Sequence, residues 1–232
     1  MKSIITFAAL LFSLNLTFAQ NIGAGADNAT GLSSVVYAIF NTNSVGTFIN
    51  YTKTEIKGST HVFPNWRNIG IIDIDNKKYR LANINFNIKT NNFESQVGKD
   101  SIFILDIANV NHIYINNRKF QSFYFSNKKG DQSFEILYDG DDFKLLKGYE
   151  VGIRYGETDP LMVKKKVDTY FTTKTYYVRR GTDIQEISLK KKNILLLFKD
   201  KANLVSTFAK KNKLSYKKDN DLKKLFNYFD SL

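Results

Sequence analysis

The chain contains no cysteine. Disulfides, thiolate metal ligands and lipidation of an N-terminal cysteine are therefore closed to it, and the fold must rest on its packed core. Proline occurs only twice, which leaves strand ladders free of a residue that cannot donate. Histidine also occurs only twice, at His61 and His112, with neither a second histidine nor a carboxylate at ligand spacing. A zinc site or a histidine-based nucleophile triad finds no foothold there, and each histidine reads as a strand or loop residue with a local partner. No Gly-x-Ser-x-Gly elbow is present. The Gly-x-Gly in "GAGADNATG" precedes the first expected strand and opens no helix, so it lacks the setting of a phosphate loop and reads as a flexible segment. Neither a cofactor nor a metal is expected from these patterns.

What is abundant is apolar and aromatic residues, at 43% and 14%, together with lysine and asparagine. The first twenty residues, "MKSIITFAALLFSLNLTFAQ", set Lys2 before an apolar run from Ile4 to Leu14 and end in Thr17-Phe18-Ala19. A cationic start, a short apolar core and small residues at the junction make an export signal, cut after Ala19, and the run is too short to span a bilayer stably. Removing residues 1–19 from 232 leaves 213, with 20–31 as a flexible mature N-terminus and ample apolar content for a packed domain. No later run is long and apolar enough to cross a membrane as a helix.

Charge is unevenly placed. Residues 20–160 hold 15 Lys/Arg and 15 Asp/Glu, whereas residues 161–232 hold 18 against 7, so the last third carries +11 of the formal +12. Such a field draws anionic partners, among them lipid head groups and acidic glycans. The same composition also describes a lysine-decorated solvated face.

Alternation at period two dominates from residue 32 to 189. Strands are expected near 35–40, 45–56, 69–75, 78–89, 92–97, 101–107, 111–116, 119–126, 132–138, 142–147, 149–155, 168–179 and 183–189. In "IIDIDNKKYRLANINFNIKT" a two-residue turn at Asn76-Lys77 would set Asp75 opposite Lys78, Ile74 opposite Tyr79, Asp73 opposite Arg80 and Ile72 opposite Leu81, with apolar pairs on one side and charged pairs on the other. Lysine at a turn position that demands positive φ is the weak point of that register. A calcium loop would need an oxygen ligand at Lys77 and glycine at Lys78, so the carboxylates read as hairpin residues. The pattern "IDNKKYR" at 74–80 recurs as "INNRKFQ" at 115–121, which suggests a second hairpin with its turn at Asn117-Arg118. In "YDGDDF" a turn at Gly140-Asp141 would place Tyr138 opposite Phe143 but also Asp139 opposite Asp142, a like-charge pair that needs a cation, water or a wider turn.

Two stretches carry the interaction chemistry. "DTYFTTKTYYVRR" interleaves aromatics with cations, and Tyr170, Lys174, Tyr176, Tyr177, Arg179 and Arg180 form the candidate ligand-binding face, since aromatic planes beside positive charge hold sugars or acidic groups. The alternative is that one set packs inward while the other lines a sheet surface. After residue 190 the period changes to that of a helix. Ile194, Leu197, Phe198, Ala202, Val205, Phe208 and Ala209 form one stripe, interrupted near Lys199-Asp200. Leu222, Leu225, Phe226, Phe229 and Leu232 form a second, with Asp219 as the expected N-cap.

The ending "FAQ" of the signal, "IKGSTHVFPNW" leading into "GIIDIDNKKYRLANINFNI", and the run from "FEILYDGDDFKLLKGYEV" to "KKNKLSYKKDNDLKKLFNYFDSL" together resemble exported envelope proteins of Bacteroidota-type bacteria. The resemblance implies export to the periplasm or outer membrane and brings no activity with it.

The expected fold is mainly β with C-terminal α: a curled antiparallel sheet, sandwich or open barrel, over 32–189, with a basic helical pair at 190–232 packed against it. The expected function is non-catalytic binding of an anionic envelope component, or of another envelope protein, through the basic C-terminal third. Peripheral membrane contact is compatible with that reading, and nucleic acid is not the expected partner. The second reading is a glycan hydrolase using carboxylates such as Asp139 or Asp142. The protein recovered from the cell envelope should begin at Gln20 by N-terminal sequencing; a start at Met1 would overturn the assignment of a cleaved signal.

Overall fold

The computed structural model describes residues 46–50, 55–74, 77–99, 101–156 and 167–232. The expected signal, the polar segment at 20–31 and the expected strand at 35–40 lie outside the described residues.

Two antiparallel sheets, neither closed into a barrel, form the body. The large sheet has eight strands in the spatial order β12 (Asp183–Glu186), β11 (Thr169–Arg180), β10 (Lys144–Arg154), β9 (Gly130–Asp139), β8 (Arg118–Phe125), β7 (Val110–Ile115), β2 (Ile69–Ile74) and β3 (Lys77–Ala82). The small sheet has four, in the order β1 (Thr47–Asn50), β6 (Ser101–Ile104), β5 (Asn92–Gln96) and β4 (Ile84–Asn87). Helices α1 (Lys191–Leu196), α2 (Ala202–Lys211) and α3 (Asp219–Asp230) follow, with a 3-10 turn at Lys199–Lys201 where the apolar stripe breaks. The mainly β architecture with C-terminal helices matches the sequence expectation.

The hairpin registers differ from those expected by one residue at the turn. β2 pairs β3 with Ile74 opposite Lys77, Asp73 opposite Lys78 and Ile72 opposite Tyr79, which leaves Asp75-Asn76 rather than Asn76-Lys77 as the connection. β7 pairs β8 with Ile115 opposite Arg118 and Ile113 opposite Phe120, so the turn is Asn116-Asn117 and not Asn117-Arg118. Both turn asparagines have positive φ, 48° and 64°, as a type I′ turn requires, and asparagine tolerates that region far better than a long basic side chain. Moving a turn by one residue shifts the pairing by two, so every side chain keeps its face. Ile72, Ile74, Tyr79 and Leu81 accordingly share one side of the ribbon and one core.

The third hairpin is corrected in the opposite direction, its pairing moving towards the C-terminus. Lys144 stands opposite Asp139 and Leu145 opposite Tyr138, around a four-residue connection closed by the Gly140 N–H donating to the Phe143 carbonyl at 3.2 Å. Asp139 and Asp142 do not face each other. The segments expected as separate strands at 142–147 and 149–155 are one strand, β10, while the segment expected at 78–89 is cut at Asn83 (φ 52°), where the chain passes from the large sheet to the small one.

Adjacency of β2 and β7 gives the sequence repeat a geometric meaning. Ile72 pairs Ile113, its own counterpart 41 positions on, and Ile71–Tyr114 and Asp73–His112 are equivalent pairs on either side. The two hairpins are thus related by a local two-fold axis through the Ile72–Ile113 pair.

Layering follows from parity along β10. Leu145, Lys147 and Tyr149 point to one face. Leu145 belongs to the core beneath the helices, with Val178, Ile194, Phe198, Val205, Leu222, Leu225 and Phe226, while Tyr149 belongs to the core beneath the small sheet, with Phe86, Phe93 and Phe120. The small sheet and the helical layer therefore lie side by side on the same face of the large sheet. Stacked Phe86 and Phe93 rings, 4.8 Å apart, anchor the first core, and stacked Tyr138 and Phe226 rings, 4.5 Å apart, anchor the second. On the opposite face Phe125, Phe134, Ile136, Leu146 and Ile184 form a third, smaller cluster.

Asn117→Ala should lower the urea unfolding free energy by about 1 kcal/mol, because alanine is strained at positive φ, whereas Asn117→Gly should leave it unchanged or raise it. Equal effects of the two substitutions would contradict the turn assignment.

Candidate functional site

Charged residues at two inward-facing positions of the large sheet dominate the seam between its two covering layers. Glu135 on β9 stands opposite Lys147 on β10, and Lys147 opposite Tyr176 on β11. The side chains of Lys147 and Glu135 are only 6% and 3% exposed. Arg118, from the start of β8, grips Glu135 through Nε at 3.0 Å and Nη2 at 2.7 Å, with its guanidinium 4.7 Å from the Phe63 ring centre. The Tyr149 hydroxyl donates to Glu135 as well. From above, Asp219 in the first turn of α3 accepts from Lys147 Nζ and, at 2.9 Å, from the Tyr176 hydroxyl. Two cations and two anions thus close a neutral network, as an uncompensated buried charge would be strongly destabilising.

Asp219 was the expected N-cap of α3. Lys218 occupies the cap position, without a capping side-chain bond, and Asp219 is the first helical residue. Its carboxylate is drawn down to the sheet ammonium rather than back onto the helix N–H groups. Burial works against ionisation of both carboxyls, yet hydrogen bonds and positive charge outweigh it. Arg118, Tyr149 and Lys147 hold Glu135 below the usual carboxylate range, and Lys147 and Tyr176 do the same for Asp219. Burial, with the bond to Asp219, pushes the Tyr176 hydroxyl up, so it remains a donor.

Strand parity divides the candidate ligand-binding face. Tyr170, Lys174, Tyr176 and Arg180 lie on the face that carries the helices, and Tyr177 and Arg179 on the other. Tyr170 is buried, with Lys89 Nζ 5.9 Å above its ring. Lys174 is exposed. Tyr176 is bound to Asp219, and Arg180 lies 5.5 Å from the Phe143 ring centre. Tyr177 packs edge-on against Phe125 and Phe134, and Arg179 stacks 4.3 Å above Phe123. The six residues do not converge on one surface.

The acidic turn is engaged with lysine. Asp139 pairs with both Lys119 and Lys144, and Asp142 with Lys199 at 2.7 Å. His61 has a carboxylate partner after all: its Nε2 lies 2.8 Å from Glu94, which also accepts from Asn87 at 2.8 Å. Glu94 is 33 residues distant in sequence, so spacing alone gave no sign of it. Among the described residues no three His, Cys, Asp or Glu side chains gather as a metal site would require.

A cleft of about 430 Å³ opens where the large sheet splits. β9 and β10 pair only from Lys144–Asp139 to Lys147–Glu135, after which β9 continues with β8 and β10 with β11. The turn between β4 and β5 is wedged into the gap. Asn91 there accepts from the Ser133 N–H at 3.0 Å and donates to the Asp131 carbonyl at 3.1 Å, standing in for the missing strand. Aromatic edges of Phe125, Phe134 and Tyr177 and the Lys128–Glu150 pair line the cleft. It offers neither a paired acid and base nor a nucleophile beside a base, and neither Asp139 nor Asp142 lines it.

The helical layer presents the strongest field. Residues 190–232 hold 12 lysines against 4 aspartates, a surplus of 8. Three of the four acids turn to partners within the fold: Asp219 to Lys147 and Tyr176, Asp221 to the Ser215 N–H at 3.0 Å, and Asp230 to the Tyr138 hydroxyl at 2.7 Å. Among the described residues Lys199 is the only lysine of this layer in a salt bridge. Lys190, Lys192, Lys210, Lys211, Lys213, Lys217, Lys218 and Lys224 are exposed. No family model, curated protein or solved structure matches the chain.

The seam makes a pH prediction with a definite sign. Carboxyls held below their unfolded values contribute stability that is complete above the ordinary carboxylate range and is lost as pH falls through it. Urea midpoints should therefore drop below about pH 4, and less steeply in Asp219→Asn. At neutral pH Asp219→Ala should cost about 2 kcal/mol, less than breaking a fully buried pair because Asp219 retains solvent access, and Lys147→Met combined with Asp219→Leu should recover most of it. A double variant as unstable as the sum of its singles would refute the coupling.

Proposed function

We propose that this is a non-catalytic exported protein that binds an anionic surface of the cell envelope through the lysines of its helical layer. The observation that carries the reading is the division of charge in residues 190–232, where three of the four acids are engaged by partners within the fold, while among the described residues every lysine but Lys199 lacks a salt bridge and most are exposed. A lysine coat that served solubility alone would not require three of its four acids to be engaged by partners within the fold. A field of one sign over one layer acts at a distance of about 8–10 Å in physiological salt, enough to concentrate an anionic polymer or lipid surface before contact. The signal segment supports export. The hydrolase reading draws no support from the acids of the turn, which pair with lysines instead of meeting across a cavity.

Binding of the mature chain from Gln20 to anionic vesicles or an acidic polysaccharide should weaken steeply between about 0.05 and 0.5 M salt, as expected for exposed charges. The triple variant Lys210→Gln, Lys211→Gln, Lys213→Gln should bind at least about tenfold more weakly, given roughly 1 kcal/mol per lysine near an anionic surface. Absence of binding to either surface at low salt would overturn the reading.

A further inference from the structure

The helical layer also carries an apolar spot. Leu196 ends α1 with 67% of its surface exposed, the largest exposure of any helical leucine described. It lies off the stripe of Ile194, Leu197 and Phe198 that fills the core, and the contacts of that core do not reach it. Leu195, half-buried, and Ala202 join it in flooring a shallow depression of about 590 Å³, rimmed by Lys191, Lys192 and Lys199. A long lysine side chain can lie along apolar surface while its ammonium group reaches outward, so the rim sets positive charge around an apolar floor.

We infer that this depression is the point at which the protein enters an anionic lipid bilayer, with Leu196 and Leu195 at the boundary of head groups and acyl chains and Lys191 and Lys192 on the phosphates. The inference rests on the anionic-surface reading above and narrows its partner to lipid. Charge complementarity selects an anionic occupant, and the exposed leucine selects one with hydrocarbon, which an acidic polysaccharide does not supply. A protein partner fits less well. A stable protein interface needs about 1,000 Å² with close shape matching, whereas one helical turn in a shallow hollow supplies little of either. A bilayer needs no shape match, because interfacial attachment adds a small buried apolar area to attraction for anionic head groups. Lys199 is held by Asp142, itself largely exposed, and can exchange that partner for a phosphate.

The test uses the mature chain from Gln20 with vesicles of phosphatidylcholine containing phosphatidylglycerol, pure phosphatidylcholine vesicles as the baseline, and alginate as the polysaccharide. Leu196→Ser should weaken binding to the anionic vesicles about fivefold, as loss of part of a leucine's burial implies, and leave alginate binding unchanged. Lys191→Gln with Lys192→Gln should weaken vesicle binding by about tenfold or more. Because the chain has no cysteine, Leu196→Cys gives a unique site for an environment-sensitive fluorophore, whose emission should shift to the blue with anionic vesicles. The same label at Tyr124→Cys, on β8, should not shift. Vesicle binding that survives Leu196→Ser undiminished, with no shift at position 196, overturns the lipid-entry site while leaving the anionic-surface reading in place. Binding to alginate alone has the same consequence, and a protein that binds neither surface loses both.

Discussion

A lysine ammonium in the middle of a sheet face, at 6% exposure, requires compensation from above as well as from its own layer. Lys147 receives it from Glu135 within the sheet and from Asp219 on α3. The rest of the arrangement follows. Glu135 must also answer Arg118, which ties β8 into the same network; Asp219 must sit at the foot of its helix, which fixes where α3 begins relative to β10 and β11. The small sheet and the helices meet over this network because Tyr149 and Leu145, two positions apart on either side of Lys147, are committed to different cores. The outward charge of the helical layer is linked to the same constraint, since an aspartate drawn down to the sheet cannot neutralise a lysine at the surface.

Much of the fold was legible. Period-two alternation marked strands such as β2 and β7 because one face of each is buried, and the change of period near residue 190 found the helices. Turn chemistry was read one residue late in two hairpins; in "INNRKF" the sequence offers two candidate positions, and the positive φ of Asn116 and Asn117 decides between them. The face assignment of Ile72, Ile74, Tyr79 and Leu81 survived because a shift of two in pairing preserves parity. The passage of the chain between sheets at Asn83 and the continuity of β10 through Gly148 were not legible. A left-handed asparagine and a glycine beside aromatic rings both look like turns in sequence, yet Gly148 is in mid-strand: a Cβ there would come within 2.9 Å of the Tyr177 ring.

The candidate site was less legible, because its residues matter through partners far away in sequence. Tyr176 and Tyr177 are neighbours in sequence, and strand parity sends them to opposite faces. Glu135 and Lys147 occupy inward positions in "SFEIL" and "LLKGY", and a charge breaking an apolar alternation was the available signal for both. Leu196 had its own signal as an apolar residue outside the helical stripe.

Lys147 and Asp219 are separated by 72 residues, and this distance orders the assembly of the molecule. Loop closure over such a length is entropically slow, so the strands can pair well before the ammonium group meets its distant counter-ion. Until then the central strands carry a cation facing water where a layer is missing. Docking of α3, which brings Asp219 onto Lys147, is the contact that covers that cation.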